Sequence, residues 1–296
     1  MMNRRSALKG VVLSAAGIGI APAIAACKTT KIEENSATVP NKLLGNIKHS
    51  ACRWCYQGMS LEQLTEEAKE IGLKSIELLN PNEWDTVLSR GLECAISFGS
   101  SLGIPKGFND IKNHEQLYND YKTLLPLAAE KGIKQVICFS GNRNGISDEQ
   151  GLENCAIGLD KVAKIAQKYN VKLVMELLNS KVNHPDYQCD HTAWGVALAE
   201  KLGNPNFTLL YDIYHMQIME GDVIATIQKY HKYISHYHTG GVPGRNEINE
   251  TQELNYKAII KAIKATGYND YVAQEFIPTR PSLMESLKEG VLICDI

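Results

Sequence analysis

The stretch NFTLLYDIYHMQIMEGD, Asn206 to Asp222, decides the reading of this chain. Its first residues, Phe207–Leu210, form a short apolar run bounded by polar residues, the pattern of a strand buried on both faces. The run ends on a charge, Asp212, and His215 follows three residues later. In proteins that alternate strands with helices, the C-terminal ends of the strands carry the chemistry.

The same grammar repeats outward in both directions. Upstream, strands are expected at Ile47–Cys52, Lys74–Leu79, Glu93–Phe98, Lys134–Phe139 and Val171–Met175, the last running into Glu176. Downstream, Tyr233–Tyr237 runs into His238, and Asp270–Gln274 runs into Glu275. Helical spacing separates them at Leu61–Ile71, Asn82–Arg90, His114–Lys131, Ser147 or Asp148 to Tyr169, Cys189–Leu202, Asp222–Lys232, Leu254–Thr266 and Arg280–Leu292. Ser60 stands as an N-cap, and Gly72, Gly132, Gly203 and Gly267 close helices. Eight strand–helix units in about 250 residues predict an α/β fold, a single (β/α)8 barrel. An open doubly wound sheet is the alternative, but it would not readily converge four consecutive strand ends on one point.

Composition sets the outer limits. A chain of 296 residues with 44% apolar and 22% charged residues can bury a large core. A net charge of −2 gives no footing for nucleic acid or an anionic membrane. No Gly-rich dinucleotide or phosphate-loop fingerprint is present, and Gly240-Gly241 with Gly244 reads as a flexible loop.

The first segment reads apart from the fold. Residues 1–27 resemble an export signal: Arg4-Arg5 as in twin-arginine signals, an apolar Val11–Ala26, and Ile24-Ala25-Ala26-Cys27 like a lipobox. Cys27 would then be a lipidated N-terminus, the chain's one tie to a membrane, with an uncleaved anchor as the other reading. Residues 28–44 read as a polar linker and 45–296 as the catalytic barrel. The expected address is outside the cytoplasm of a bacterium, periplasmic or tethered to the membrane. Seven further cysteines form no disulfide framework. Cys94, Cys138 and Cys294 lie in apolar runs, and Cys52-x-x-Cys55 lacks the second pair that a zinc site needs.

The four strand ends Glu176, Asp212, His238 and Glu275 lie about one strand–helix unit apart. Three carboxylates and an imidazole in one barrel mouth repel unless a cation neutralises them. An oxygen-rich set with one nitrogen suits Mn²⁺, Mg²⁺ or Co²⁺. Arg245, seven residues past His238, can hold a substrate oxygen or carboxylate. Glu77, at the end of the second strand, can orient a ligand or bind a substrate hydroxyl. Asn179 and His184 are expected on the pocket wall. Trp54 and Trp84 are either wall or core, and Tyr214 and Met216 are expected to pack.

Four segments carry a family resemblance: Glu176-Leu-Leu-Asn179, Tyr211-Asp-Ile-Tyr-His-Met-Gln-Ile-Met-Glu-Gly-Asp222, His236-Tyr-His-Thr-Gly-Gly-Val-Pro-Gly-Arg245 and Glu253-Leu-Asn-Tyr256. They resemble the hydroxypyruvate isomerase family within the xylose isomerase-like sugar isomerase and epimerase barrels. The resemblance covers roughly residues 45 to 290 and is strongest from Glu176 onward. It implies a divalent metal on Glu176, Asp212, His238 and Glu275, with Glu176 and Glu275 facing the substrate carbon from opposite sides and His215 bonding a substrate oxygen. The position of His238 is Gln in typical hydroxypyruvate isomerases and His in epimerase branches, and the Ser180–Tyr187 loop departs from the isomerase pattern.

The implied activity is isomerisation of a small hydroxy-carbonyl compound or sugar through an enediolate, with epimerase or lyase chemistry on the same scaffold as the alternative. A non-enzymatic sugar-binding lipoprotein is the reading of another class, and it leaves the paired glutamates without a role. An exported address favours a free sugar over a cytosolic metabolite as the small-molecule partner. Whether the chain forms a homo-oligomer stays open.

Overall fold

The computed structural model describes residues 43–296. The export signal, the Cys27 anchor and nearly all of the linker lie outside the described residues. Seven parallel strands form one sheet in the order β2-β1-β7-β6-β5-β4-β3. They are β1 Lys48–Cys52, β2 Ser75–Glu77, β3 Gln135–Cys138, β4 Lys172–Glu176, β5 Phe207–Asp212, β6 Ile234–Thr239 and β7 Tyr271–Gln274. The ordered pairing of β1 with β7 on one side and β2 on the other is the signature of a sheet curling on itself.

The expected strand Glu93–Phe98 is not a regular strand, and it is this segment that closes the ring. Isolated parallel bridges tie it to both neighbours, Ser75 to Glu93 and Leu79 to Ser97 on one side, Ser97 to Val136 on the other. Two local features break its ladder. The Ala95 N–H donates to the Ser75 side-chain hydroxyl at 2.9 Å instead of a backbone carbonyl. Leu78 sits at φ 55°, which turns the facing edge of the second strand out of the extended region. The barrel therefore has seven regular strands and one irregular stave.

Helices cover the outside: α1 Leu61–Ile71, α2 Trp84–Leu88, α3 His114–Glu130, α4 Asp148–Tyr169, α5 Thr192–Leu202, α6 Ile213–Met219, α7 Val223–Tyr230, α8 Tyr256–Ala265 and α9 Leu283–Cys294. The starts and stops follow local chemistry. Ser60 and Gln63 form a reciprocal capping box on α1, and Gly72 ends that helix at φ 107°. Ser147 caps α4, which ends on Asn170 in the left-handed region. Among the described residues no helix is long and apolar enough to cross a membrane.

The helix α6 falls outside the helices that the spacing predicts. Asp212 itself starts it, since its side chain accepts the backbone N–H of His215 at 3.0 Å.

The main core lies between sheet and helices and includes Trp84, Tyr121, Tyr211, Tyr237 and Phe276. A smaller apolar cluster fills the inside of the ring, made by Cys52, Leu78, Ile96, Ile137, Val174, Leu210 and Ala273. The seven cysteines of the described residues are free thiols, six of them buried, so the Cys52 and Cys55 pair forms no disulfide.

Candidate active site

The chain directs its strand-end residues to one point. Glu176 ends β4, Asp212 ends β5, His238 lies in β6, and Glu275 follows β7 by one residue. Asp212 is the register partner of His238, and His238 of Ala273. A bulge places Ser235 between the pairs Leu209–Ile234 and Leu210–His236, ahead of His236 and His238. One ligand atom from each of Glu176, Asp212, His238 and Glu275 lies within 4.8 Å of the others, and all four residues are buried.

The charge state follows from this crowding. Burial raises the Glu176 carboxyl, and the charge of Glu275 raises it further. Burial also raises Asp212 well above the carboxylate range, against the pull of Arg245. At Glu275 burial is outweighed by His238 and Arg245, and the carboxyl is held well below its usual range. For His238 burial alone would lower the pKa, but Cys52 and Glu275 overcome it and hold the ring protonated. Oε1 of Glu176 is buried without a hydrogen-bond partner. A set of three buried carboxylates and one imidazole that can ionise together only beside a cation, with one oxygen left unpaired, fits a divalent ion.

The orientation of His238 is fixed from behind. Its Nδ1 faces Glu275 Oε2 at 2.9 Å and Glu176 Oε1 at 3.4 Å, while Nε2 donates to Glu77 Oε1 at 2.9 Å. Glu77 is fully buried and accepts a second bond from His236 Nε2 at 2.8 Å. Glu77 therefore stands behind His238 and does not line the cavity, so of its two expected roles the geometry carries the orienting one.

Arg245 reaches in from the loop after β6. Its Nη2 donates to Glu275 Oε2 at 2.6 Å and lies 3.4 Å from Asp212 Oδ2. The guanidinium rests on the Trp54 ring at 4.9 Å and the Tyr214 ring at 5.4 Å. Its loop requires glycine at Gly241, where a Cβ would stand 2.3 Å from the Glu247 carbonyl oxygen.

His215 lies in the first turn of α6. Its Nδ1 accepts the backbone N–H of Asn179 at 3.1 Å, so the ring proton is on Nε2, which has no hydrogen-bond partner among the described residues and lies 3.7 Å from Asp212 Oδ2. Burial and the charge of Arg245 keep this ring neutral. Asn179 also accepts the N–H groups of Val182 and Asn183, so it shapes the following loop and His215 together and, fully buried, does not line the cavity as expected. The His184 ring lies tilted against that of His215, with centroids 5.3 Å apart, and lines the cavity.

The cavity above this set has a volume of about 320 Å³. Glu176, Glu275, Arg245 and His184 line it together with the apolar Leu78, Phe98, Ile104, Ile137, Phe139 and Leu178. Trp54 lines it too and donates from Nε1 to Glu275 Oε1 at 2.8 Å, a contact the sequence reading did not anticipate. Trp84 is core and bonds the Leu79 carbonyl. Tyr214, expected only to pack, also bonds Asn183 Oδ1 at 3.0 Å and carries Arg245. The apolar wall was missed, although Phe98 and Phe139 each stand at a strand end before a glycine-containing loop.

Fold and site together define a barrel built around convergent acidic strand ends. The family model of the xylose isomerase-like TIM barrel matches residues 65–291, and the chain belongs to that family. It is 27% identical over 224 residues to the hydroxypyruvate isomerase of Escherichia coli (strain K12), covering 72% of this chain and 86% of that protein. In fold it is similar to an AP endonuclease, family 2, from Brucella melitensis, with a TM-score of 0.74 and 22% identity over 81% of this chain and 97% of the other. A 3-keto-D-glucoside 4-epimerase from E. coli matches with a TM-score of 0.70 and 16% identity, over 83% and 97%. The two structural likenesses speak for the fold alone.

Proposed function

We propose that this chain is a divalent-metal-dependent isomerase or epimerase of a small hydroxy-carbonyl compound or sugar, acting by proton transfer through an enediolate. The observation that carries the reading is the placement of Glu176 and Glu275. They come from β4 and from the end of β7, both line the cavity, and Asp212 and His238 lie on the strands between them.

Glu176, Asp212, His238 and Glu275 would hold the ion, which supplies a Lewis acid for a carbonyl oxygen and its neighbouring hydroxyl. One glutamate removes the proton from the carbon beside the carbonyl. The electron pair left behind delocalises into the carbonyl to give the enediolate. Return of a proton to the former carbonyl carbon, with the hydroxyl proton passing from the neighbouring oxygen to the former carbonyl oxygen, isomerises the compound, and return to the original carbon from the other face epimerises it. Arg245 lines the cavity and would donate to a substrate oxygen, and His215, fully buried behind the lining, would offer its Nε2–H as the family resemblance implies. Trp54 holds one oxygen of Glu275 and fixes the rotamer of that carboxylate. The relationship to a hydroxypyruvate isomerase supports this chemistry. The Cys27 lipobox-like sequence adds an exported, tethered address to the proposal.

The test is proton–deuterium exchange followed by NMR in D₂O with Mn²⁺, across hydroxypyruvate, free ketoses and 3-keto-glycosides. Exchange at the carbon beside the carbonyl is expected for at least one of them, and it should vanish in Glu176→Gln and Glu275→Gln. Absence of exchange from all of them, with metal bound, would overturn the proposal, and a fully active Glu275→Gln would remove the proton-transfer assignment.

A further inference from the structure

The Glu253–Tyr256 stretch does not line the cavity, but it grips the loop that carries Arg245. Asn255 caps α8 through the Ala258 N–H, which makes Tyr256 the first residue of that helix. The Tyr256 side chain is buried. Its hydroxyl donates to the Gly240 carbonyl at 2.7 Å and accepts the Gly240 N–H at 2.8 Å. Burial pushes this phenol up, so the hydroxyl keeps its proton and serves both bonds.

Gly240 is where the sheet stops supplying partners. The last rung between β6 and β7 pairs Thr239 with Gln274, and the Thr239 carbonyl takes the Glu275 N–H at 3.1 Å. Beyond it the buried Gly240 has an N–H and a C=O to satisfy, and Tyr256 satisfies both. Gly240 in turn touches the site. A Cβ there would stand 3.0 Å from Tyr214 Cβ and 3.4 Å from Arg245 Cγ, so its backbone lies against the arginine stem and the ring beneath the guanidinium.

The rest of the loop hangs from that point. The Arg245 N–H bonds the Gly241 carbonyl, and the Gly241 N–H bonds the Asn246 carbonyl, each at 2.8 Å. The Glu253 N–H holds the Val242 carbonyl at 2.9 Å, and the Arg245 carbonyl accepts the Ile277 N–H at 2.6 Å. Between these ties Pro243 and Gly244 are exposed, while the Arg245 side chain lines the cavity. Its Nη2 bonds Glu275, but its buried Nε–H has no partner among the described residues. A donor buried without a partner costs free energy that a bound oxygen recovers.

We propose that Tyr256 is the positioning residue of this loop: by clamping Gly240 it holds Arg245 with Nη2 on Glu275 and with Nε–H open to a substrate oxygen. The substrate's part in this rests on the isomerase or epimerase reading, and the clamp on the hydrogen bonds alone.

The test compares Tyr256→Phe with Tyr268→Phe, both checked for folding by circular dichroism. The Tyr268 hydroxyl also makes two backbone bonds, to the carbonyls of Ser235 at 3.3 Å and Tyr271 at 2.6 Å, but at the opposite ends of β6 and β7. Nitrogen-edited NMR of the arginine side chains follows the Arg245 Nε–H, assigned by its loss in Arg245→Lys. Solvent exchange of that proton should quicken at least about tenfold in Tyr256→Phe and stay within about twofold in Tyr268→Phe. KM for any carbonyl compound the wild type turns over should rise about tenfold in Tyr256→Phe, with the smaller change in kcat. Gly240→Ala presses a methyl onto Tyr214 and Arg245 from the same point and should disturb the same signal, should Tyr256→Phe not fold. An unmoved Arg245 signal in either folded variant overturns the proposal, as does an equal disturbance in Tyr268→Phe. The contrast in exchange without turnover of any carbonyl compound would remove the isomerase reading and leave the clamp standing.

Discussion

Removing the charge behind His238 should weaken metal binding without touching a ligand. Glu77 is fully buried, yet its carboxyl is held down at about 2, below its usual 4.5. Burial pushes the other way, so the depression comes from His236 and His238. A displacement of this size corresponds to on the order of 3 kcal/mol in favour of the charged carboxylate. Shared between the two rings, about half belongs to His238. Glu77→Gln keeps the volume and an acceptor oxygen but loses the charge, so the imidazole becomes a poorer donor. The expected loss in Mn²⁺ affinity is roughly 10-fold, the lower end of what outer hydrogen-bond partners of metal ligands contribute. Calorimetric titration of Mn²⁺ into the metal-free protein measures it, with nitrogen-edited NMR of the histidine rings reporting which nitrogen carries the proton. Affinities within twofold of each other, in a folded variant whose His238 is still protonated at Nε2, would refute the reasoning.

Trp54→Phe keeps a ring beneath Arg245 but removes the bond to Glu275 Oε1. Loss of a donor raises a carboxylate pKa, so the acid limb of the kcat profile should move to higher pH, with kcat down about tenfold. Glu247 accepts from the Thr279 backbone and hydroxyl and from Ser286, and its carboxyl is held down at about 2. Because the folded value lies below the usual 4.5, its contribution is complete above that pH and is lost as pH falls toward 2. Glu247→Gln should flatten acid unfolding there by on the order of 1 kcal/mol after solvent screening, read by urea titration at pH 6 and pH 3. Gly107→Ala would set a Cβ 2.3 Å from the backbone of Phe139, Ser140 and Gly141. It should cost about 2 kcal/mol by overpacking, and unchanged thermal stability would mean that the two loops separate freely.

Much of the architecture was legible because buried parallel strands and capped helices write themselves locally. The limits of α1 at Ser60 and Gly72 follow from capping chemistry alone. The four acidic and imidazole strand ends stood out because charge at the end of an apolar run is costly and repeated. The irregular third stave did not stand out, because Glu93–Phe98 has strand-like composition. What breaks its ladder is a hydroxyl from Ser75 in the neighbouring strand and the left-handed turn at Leu78 just after it. The helix after Asp212 was hidden for a related reason: one carboxylate serves as N-cap through Oδ1 and faces the acidic set through Oδ2. Glu77 was assigned two alternatives because its partner His238 lies 161 residues away, and only folding shows which nitrogen meets it. The apolar wall is made of ordinary hydrophobic residues whose exposure to a cavity has no local signature.

The polarity of the cavity coincides with the order of the chain. The acidic set comes from β4 to the end of β7, and most of the apolar lining from the segments between β2 and α4, with Leu178 after β4 the exception. The two parts are tied across the cleft, because Trp54 and Glu77 of the first half hold Glu275 and His238 of the second. Substitutions at Phe98, Ile104, Ile137 or Phe139 would reshape the cavity, whereas those at Trp54 or Glu77 would reach the acidic set itself.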